Sequence, residues 1–215
     1  MLLNLLLATA AAIGGSSNVA GQTAVHRIFS VTPRMTSLYD QNGNDIGNYV
    51  FSEHFFDSSL DAYDSQAADD FVVPSGHLWN VKEIDVTGTY FFGSGQVTSV
   101  HVFFYNDQAG LPGSPNADCN NLGPSEANGS GSFVVKIPKT CKVKLRHGTH
   151  WLSVQVNDSA SRQWGWEGTS TQNGNPFAWR NPGDALGTGC TTWRTDCFAT
   201  EFDLMFALKG KDVIR

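Results

Sequence analysis

The sequence predicts an all-β protein: an antiparallel, two-sheet β-sandwich of jelly-roll-like plan, with about eight to ten strands and two disulfide bonds. Three observations lead to this fold class. Only 16% of the 215 residues are charged, whereas 22 are glycine and 12% are aromatic, as is typical of extracellular β domains. Short apolar segments alternate with turn-forming residues from residue 66 onward. The four cysteines are an even number, as a disulfide framework requires.

Residues 1–21 are predicted to be a signal peptide. Residues 2–13 are rich in leucine and alanine, and this apolar segment is too short to cross a bilayer but suits a secretory leader. Cleavage is expected after Ala20 or Gly21. No Lys or Arg precedes the segment, and a buried N-terminal helix is the alternative interpretation. No later segment is apolar enough to span a membrane, so we expect a secreted protein without membrane insertion after cleavage.

The rest of the chain is interpreted as one domain. Residues 22–66 form a loop-rich leader with one or two edge strands, at 25–31 and 50–56, residues 67–210 form the sandwich core, and residues 211–215 form a tail. The chain has 14 Lys and Arg against 20 Asp and Glu, a formal charge of −6. This balance argues against nucleic acid as a partner. We expect a monomer.

Within the core, each apolar segment is interpreted as one strand. Phe71–Val73 begins after two aspartates and is expected to end at the turn signal Pro74-Ser75-Gly76. Residues 97–105 are apolar on both faces, which predicts a central strand covered on both sides. Further strands are expected at 79–92, 133–137, 141–146, 151–156, 162–167 and 201–208. Trp151, which lies in one of these strands, is assigned to the core.

The cysteines, Cys119, Cys141, Cys190 and Cys197, allow three disulfide pairings. We favour the pairing local in sequence, Cys119–Cys141 and Cys190–Cys197. A metal site is the weaker alternative, because no Cys-x-x-Cys spacing occurs.

Several short segments between residues 38 and 210 carry a family resemblance. They are LYDQ at 38–41, DAYDSQAADDF at 61–71, GLPG at 110–113, GTHWLSV at 148–154, QWGW at 163–166, AWRNPG at 178–183, GCTTW at 189–193 and DLMF at 203–206. Together they resemble the jelly-roll-like β-sandwich module of secreted bacterial multidomain proteins. The resemblance implies a plan similar to carbohydrate-binding and galactose-binding-like domains. It supplies no catalytic residue.

Four tryptophans and one arginine late in the chain are the candidate ligand-binding group: Trp164, Trp166, Trp179, Arg180 and Trp193. Sugars stack their apolar C–H faces on indole rings, while polar neighbours bind hydroxyl groups. Trp179 and Trp193 lie in Gly-, Pro- and Asn-rich segments, so we expect them to be exposed. Trp164 and Trp166 share one face of a strand and fit either a binding platform or the core.

Carboxylates are the candidate ligands of a structural Ca²⁺ ion: Asp61, Asp64, Asp69, Asp70, Glu201 and Asp203. Ca²⁺ takes six to eight oxygen ligands at about 2.3–2.6 Å. The sequence favours a simpler alternative, in which Asp69 caps a turn and Asp70 binds backbone amides or pairs with an arginine. No cofactor is required by either interpretation.

These features favour a secreted, non-catalytic module that binds a glycan or a surface protein through the aromatic loops of residues 162–197. A purely structural or adhesion module with buried aromatics is the first alternative, and a carboxylate-dependent hydrolase is the second. The sequence contains no Gly-x-Ser-x-Gly, His-Glu-x-x-His or P-loop motif. Asp69 and Asp70 are adjacent in an extended segment and should face opposite sides, which does not suit a glycosidase pair facing one another across about 5–10 Å. We therefore do not expect an enzyme.

Overall fold

The computed structural model describes residues 35–93 and 95–215. The predicted signal peptide and the expected strand at 25–31 lie outside these residues. The described chain folds into two mainly antiparallel sheets and contains the disulfides Cys119–Cys141 and Cys190–Cys197. The predicted fold class and both predicted disulfides are therefore confirmed. In the described part of the chain, no helix has the length and apolarity that crossing a bilayer requires.

The described residues form fourteen strands, more than the predicted number because several are only two or three residues long. In chain order they are β1 Thr36–Asp40, β2 Asp45–Phe51, β3 Glu53–Phe55, β4 Gln66–Val86, β5 Gly88–Phe92, β6 Val100–Asp107, β7 Pro112–Leu122, β8 Pro124–Glu126, β9 Phe133–Lys136, β10 Lys144–Asp158, β11 Gln163–Thr169, β12 Ala178–Arg180, β13 Asp203–Leu204 and β14 Phe206–Ile214. A 3₁₀ turn, Ser58–Tyr63, separates β3 from β4.

The larger sheet has ten strands around the order β1-β14-β4-β10-β6-β7. The strands β3, β8, β9 and β12 extend it, and β3 pairs with β10 in the parallel direction. The position of β6, between β10 and β7, confirms the central strand predicted at 97–105. The smaller sheet places β11 beside β2, β5 and β13.

The long strand β4 overturns the predicted turn at Pro74-Ser75-Gly76. The strand continues through this segment, and the partners of Val73 and Leu78 in β10 are Gly148 and Arg146. Residues 74–77 therefore bulge out opposite a single residue of β10. A proline cannot donate to the ladder, and Gly76 adopts a positive φ of 79°, so the bulge absorbs the turn-forming residues without ending the strand.

The expected boundaries at both ends of the core are also corrected. The predicted tail at 211–215 is wrong, because β14 runs to Ile214 and pairs with β4 as far as His77. The expected strand at 50–56 is divided between β2, which ends at Phe51, and β3. Since β1 and β2 belong to the two sheets, the described part of the leader is integral to the sandwich.

The core between the sheets is built around aromatic side chains. Trp164 and Trp166 of β11 are fully buried, with ring centroids 6.4 Å apart. Trp164 packs on Phe133 at 5.5 Å, and Trp166 packs on Phe206 at 6.2 Å. A second apolar cluster covers the outer face of the larger sheet and contains Ala68, Tyr105, Trp151 and Ala178. The predicted burial of Trp151 is confirmed, since it is fully buried in this second cluster.

Gly88 of β5 faces the Trp164 indole, and its lack of a side chain is required there. A β-carbon at this position would lie 2.4 Å from Cζ2 of Trp164. We expect Gly88→Ala to lower the free energy of unfolding by about 1–3 kcal/mol, because overpacking forces the indole or the backbone to shift. Urea denaturation followed by tryptophan fluorescence measures this change.

The matched control is Gly123→Ala, since a β-carbon at Gly123 would meet no atom within 4 Å. This variant should be neutral or slightly stabilising. Equal stability of the two variants would contradict the packing assigned to Gly88.

Candidate functional site

Three of the four tryptophans proposed as a ligand platform are buried. Trp164 and Trp166 are fully inaccessible, and Trp179 is only 1% exposed. The expectation that Trp179 is exposed is therefore wrong. Its ring packs against Phe198 at 5.1 Å, and its Nε1 donates to the Phe51 carbonyl at 2.8 Å. The three indole rings are therefore packed against other residues of the protein and leave no ring face for a ligand.

Trp193 is partly exposed, but it is engaged with Arg180. The Arg180 guanidinium lies 4.5 Å from the centroid of the Trp193 ring. Arg180 also donates to Oε1 of Gln66 at 3.1 and 2.6 Å, and Gln66 donates to the Tyr105 hydroxyl at 3.0 Å. These contacts hold the Trp193 segment against the outer face of the larger sheet. Arg180 and Trp193 therefore stabilise the packing of this segment.

The six predicted cation ligands do not form one site. Asp61 and Glu201 are exposed, and Asp64 accepts a hydrogen bond from the Phe55 main-chain N–H at 2.8 Å. Among the described residues, no group of three or more His, Cys, Asp or Glu side chains is arranged to hold a metal ion. The predicted site built on six carboxylates is therefore wrong as a set.

Asp69 and Asp70 face opposite sides of β4, as predicted from their adjacency. Asp70 accepts hydrogen bonds from the main chain of Asn175 at 3.2 Å and from its side chain at 2.7 Å. Asp69 accepts from the Leu204 N–H at 2.6 Å. Both acids thus bind backbone amides, whereas the expected arginine partner is not found among the described residues.

Asp69 and Asp203 lie close together in the interior. Asp69 is fully buried, and burial together with the charge of Asp203 raises its pKa well above the usual range. Burial also raises the pKa of Asp203 to about 6. The side-chain amide of Gln41 donates to Asp69 at 2.7 Å. This polar centre joins β4 to β13.

A cavity of about 190 Å³ opens beside β3 and the 3₁₀ turn. It is lined mainly by apolar and aromatic side chains with a few polar groups: Phe51, Glu53, Phe55, Leu60, Tyr63, Ser65, Ala160, Gln163 and Leu186. Glu53 is 2% exposed, and its Oε1 accepts the Trp164 main-chain N–H at 2.5 Å. Burial raises the pKa of Glu53 to about 8, against the opposing effect of that hydrogen bond. Glu53 is therefore mostly protonated at neutral pH.

A group of exposed and half-buried rings adjoins this cavity on the outer face of the smaller sheet. We call Tyr49, Phe51, Phe91 and Phe92 the aromatic surface. Its neighbouring ring centroids lie 4.4–5.9 Å apart. Tyr49 lies directly over Gly165, where a β-carbon would come within 2.5 Å of the ring. Phe51 belongs to both the aromatic surface and the cavity, so the two form one continuous candidate site.

Neither the cavity nor the aromatic surface was predicted from the sequence. The alternation of Tyr49 and Phe51 in β2 is the signal that places both rings on one face of a strand. Glu53 continues that spacing, but an isolated acid between two phenylalanines matches no motif. Its burial and its bond to Trp164 arise only in the folded chain.

The fold and the site define a disulfide-bonded β-sandwich with a largely apolar candidate binding site on its smaller sheet. The chain matches no protein-family model, no curated protein and no solved structure. The resemblance to the secreted bacterial module therefore stays a prediction, and the interpretation of the site depends on its own geometry.

Glu53 gives stability a specific pH dependence. Its folded pKa of about 8 lies above the usual value of 4.5, so its contribution is fully present below about pH 4.5 and is lost as the pH rises through 8. Glu53→Gln keeps an acceptor for the Trp164 N–H and cannot ionise. We expect the variant to remove a decline of up to about 1.4 kcal/mol per pH unit in this window.

Chemical denaturation of both proteins at a series of pH values measures the difference in slope. Glu201→Gln, at an exposed glutamate, is the control and should retain the slope of the original protein. Parallel curves for the original protein and Glu53→Gln would contradict the protonated state assigned to Glu53.

Proposed function

We propose that the protein is an extracellular, non-catalytic β-sandwich module that binds a neutral carbohydrate chain at the aromatic surface and the adjoining cavity. One observation carries the proposal: in the aromatic surface Phe91 and Phe92 are exposed by 48% and 57%, Tyr49 and Phe51 are partly exposed, and the surface continues into a cavity lined by further aromatic side chains. The two disulfides and the predicted signal peptide support an extracellular location.

The chemistry of the site favours an uncharged sugar. Exposed rings on a sheet offer flat surfaces for the C–H faces of pyranose units. No Lys or Arg is among the described residues that line the cavity, whereas anionic glycans need basic partners. Protonated Glu53, Ser65 and Gln163 supply neutral donors and acceptors for hydroxyl groups.

The size of the cavity favours a chain over a large compact ligand. Its volume of about 190 Å³ is smaller than the roughly 300–1,000 Å³ of typical small-molecule pockets. We infer that it accepts one sugar unit, while the following units lie along Tyr49, Phe51 and Phe91.

The same cavity does not favour hydrolysis. Glu53 is the one carboxyl group among the described residues that line it. Asp158 lies near enough to raise the pKa of Glu53, but it is buried and paired with Arg162 at 2.7 Å. Glycoside hydrolysis uses two carboxyl groups that flank the scissile bond, and the cavity presents one.

A structural or adhesion module is the second candidate. It is favoured by the three buried tryptophans and by the chemistry of Phe91 and Phe92, which have no polar group to orient a sugar. On this interpretation the aromatic surface contacts another protein.

Binding to neutral polysaccharides tests the proposal directly. Cosedimentation with insoluble polysaccharides and calorimetry with soluble ones should detect binding. Phe91→Ala, at an exposed ring, should weaken it about 3- to 10-fold, because one stacking contact is lost.

The control is Ile214→Ala, which removes an apolar side chain that is 77% exposed on β14 of the larger sheet. It should bind as the original protein does. Absence of binding across a broad neutral panel, or equal loss in both variants, would reject the carbohydrate proposal and favour the structural module.

A further inference from the structure

The strand β2 forms a free edge of the smaller sheet. In the part of the chain that the structure describes, β2 pairs with β11 alone, whereas β11 has further strands on its other side. An edge strand presents main-chain N–H and C=O groups that can pair with another chain. The groups that stay open along β2 therefore define what this edge is able to bind.

The main-chain groups of Tyr49 point away from β11. Its partner in the antiparallel ladder is Glu167. The Glu167 N–H donates to the Thr87 carbonyl at 3.0 Å, and the Glu167 carbonyl accepts the Met205 N–H at 2.9 Å. Tyr49 and Glu167 are therefore a non-hydrogen-bonded pair, in which the N–H and the carbonyl of Tyr49 face the free edge. Neither group has a main-chain partner among the described residues.

The open part of the edge is short, because side chains close both of its ends. The indole N–H of Trp179 donates to the Phe51 carbonyl at 2.8 Å, and the Gly47 N–H donates to Oδ1 of Asp45 at 2.7 Å. Between these ends lie both main-chain groups of Tyr49 and the N–H of Phe51. This window suits about three extended residues. It does not suit the seven residues of β2 from a second copy of the chain.

A second cavity of about 190 Å³ lies along this window and is lined by residues 48–51 of β2. Its remaining walls are mainly phenyl rings, from Phe177, Phe198 and Phe202. No Asp, Glu, Lys, Arg or His is among the described residues that line it, so the cavity favours an apolar side chain. Open main-chain groups beside an apolar pocket are the two parts of a site that adds a peptide strand to a sheet edge.

We propose that the β2 edge binds an extended peptide segment of a partner protein, with an apolar side chain in the second cavity. The segment runs antiparallel to β2, because one of its residues then uses both groups of Tyr49. The N–H of that residue donates to the Tyr49 carbonyl, and its carbonyl accepts the Tyr49 N–H. The proposal goes beyond carbohydrate binding and does not depend on it, since the peptide uses main-chain groups of the edge and a sugar would use ring faces of the aromatic surface.

The test titrates the full, isotope-labelled chain with the blocked peptide acetyl-Gly-Leu-Gly-amide and follows the main-chain amide resonances. The resonances of Tyr49 and Phe51 should shift in a saturable manner, and hydrogen exchange at the Tyr49 N–H should slow, because a peptide carbonyl accepts it. We expect millimolar affinity, since a few hydrogen bonds and one buried side chain must offset the ordering of the peptide. Absence of saturable shifts at both residues, up to the solubility limit of the peptide, would overturn the proposal.

Matched peptides test the main-chain pairing. N-methylation of the leucine keeps its side chain and removes the N–H that reaches the Tyr49 carbonyl, so binding should weaken about tenfold or more. Aspartate in place of the leucine should also weaken binding, because an apolar cavity does not compensate a charge. Equal binding of the leucine peptide and its N-methyl form would reject strand addition. Shifts at Tyr49 that follow protein concentration without peptide would assign the edge to a second copy instead, and would also reject the proposal.

Variants test the role of the second cavity. Phe198→Ala removes one of its walls and should weaken peptide binding about 3- to 10-fold. The matched control is Phe56→Ala, at a ring that is 64% exposed and does not line this cavity, and it should bind as the original protein does. If Phe198→Ala does not fold, Thr200→Trp, which fills the cavity from an exposed position, should block the peptide. Unchanged affinity in the variants at the cavity would place the peptide elsewhere and overturn the proposal.

Discussion

Buried carboxyl groups of the larger sheet join it to the smaller one by accepting main-chain N–H groups. Glu53 of β3 accepts the N–H of Trp164 in β11, and Asp69 of β4 accepts the N–H of Leu204 in β13. A buried N–H without a partner is costly, so each acid is held inside despite the penalty for removing a carboxylate from water. Burial raises the pKa of both acids, against the opposing effect of these hydrogen bonds. The cavity of the candidate site lies beside the first of these two hydrogen bonds.

The fully buried tryptophans have a similar role, because each indole N–H must find an acceptor inside the protein. Trp164 donates to the Gly131 carbonyl, Trp166 to that of Met205 and Trp179 to that of Phe51. The last of these bonds fixes the residue shared by the aromatic surface and the cavity. The buried tryptophans thus support the candidate site from the interior of the protein, whereas phenylalanine and tyrosine rings form the side that faces the solvent.

The sequence predicted features that depend on local pattern: the sandwich class, the disulfide pairing, the central strand at β6 and the opposite orientations of Asp69 and Asp70. It misjudged features that depend on distant contacts. Pro74-Ser75-Gly76 reads as a turn, but pairing with β10 and β14 carries β4 across it. Trp179 lies among loop-forming residues, yet the segment folds back so that β12 pairs with β4 and the indole is covered. Glu53 belongs to no sequence motif, because its raised pKa arises from its burial in the folded chain.

The buried carboxyl groups differ in which of their oxygens remain free of main-chain hydrogen bonds. Oε1 of Glu53 is bound to Trp164, so Oε2 alone is available at the cavity, as one donor or acceptor. Both oxygens of Asp69 accept N–H groups, whereas Oδ1 of Asp203 accepts none among the described residues. Under the proposed carbohydrate function, Glu53, Ser65 and Gln163 offer only a few directed hydrogen bonds at the cavity, so we expect ring stacking along Tyr49, Phe51 and Phe91 to supply most of the affinity. Because each stacked unit would add a small increment of affinity, the proposal implies that a chain of several units binds more tightly than one free sugar.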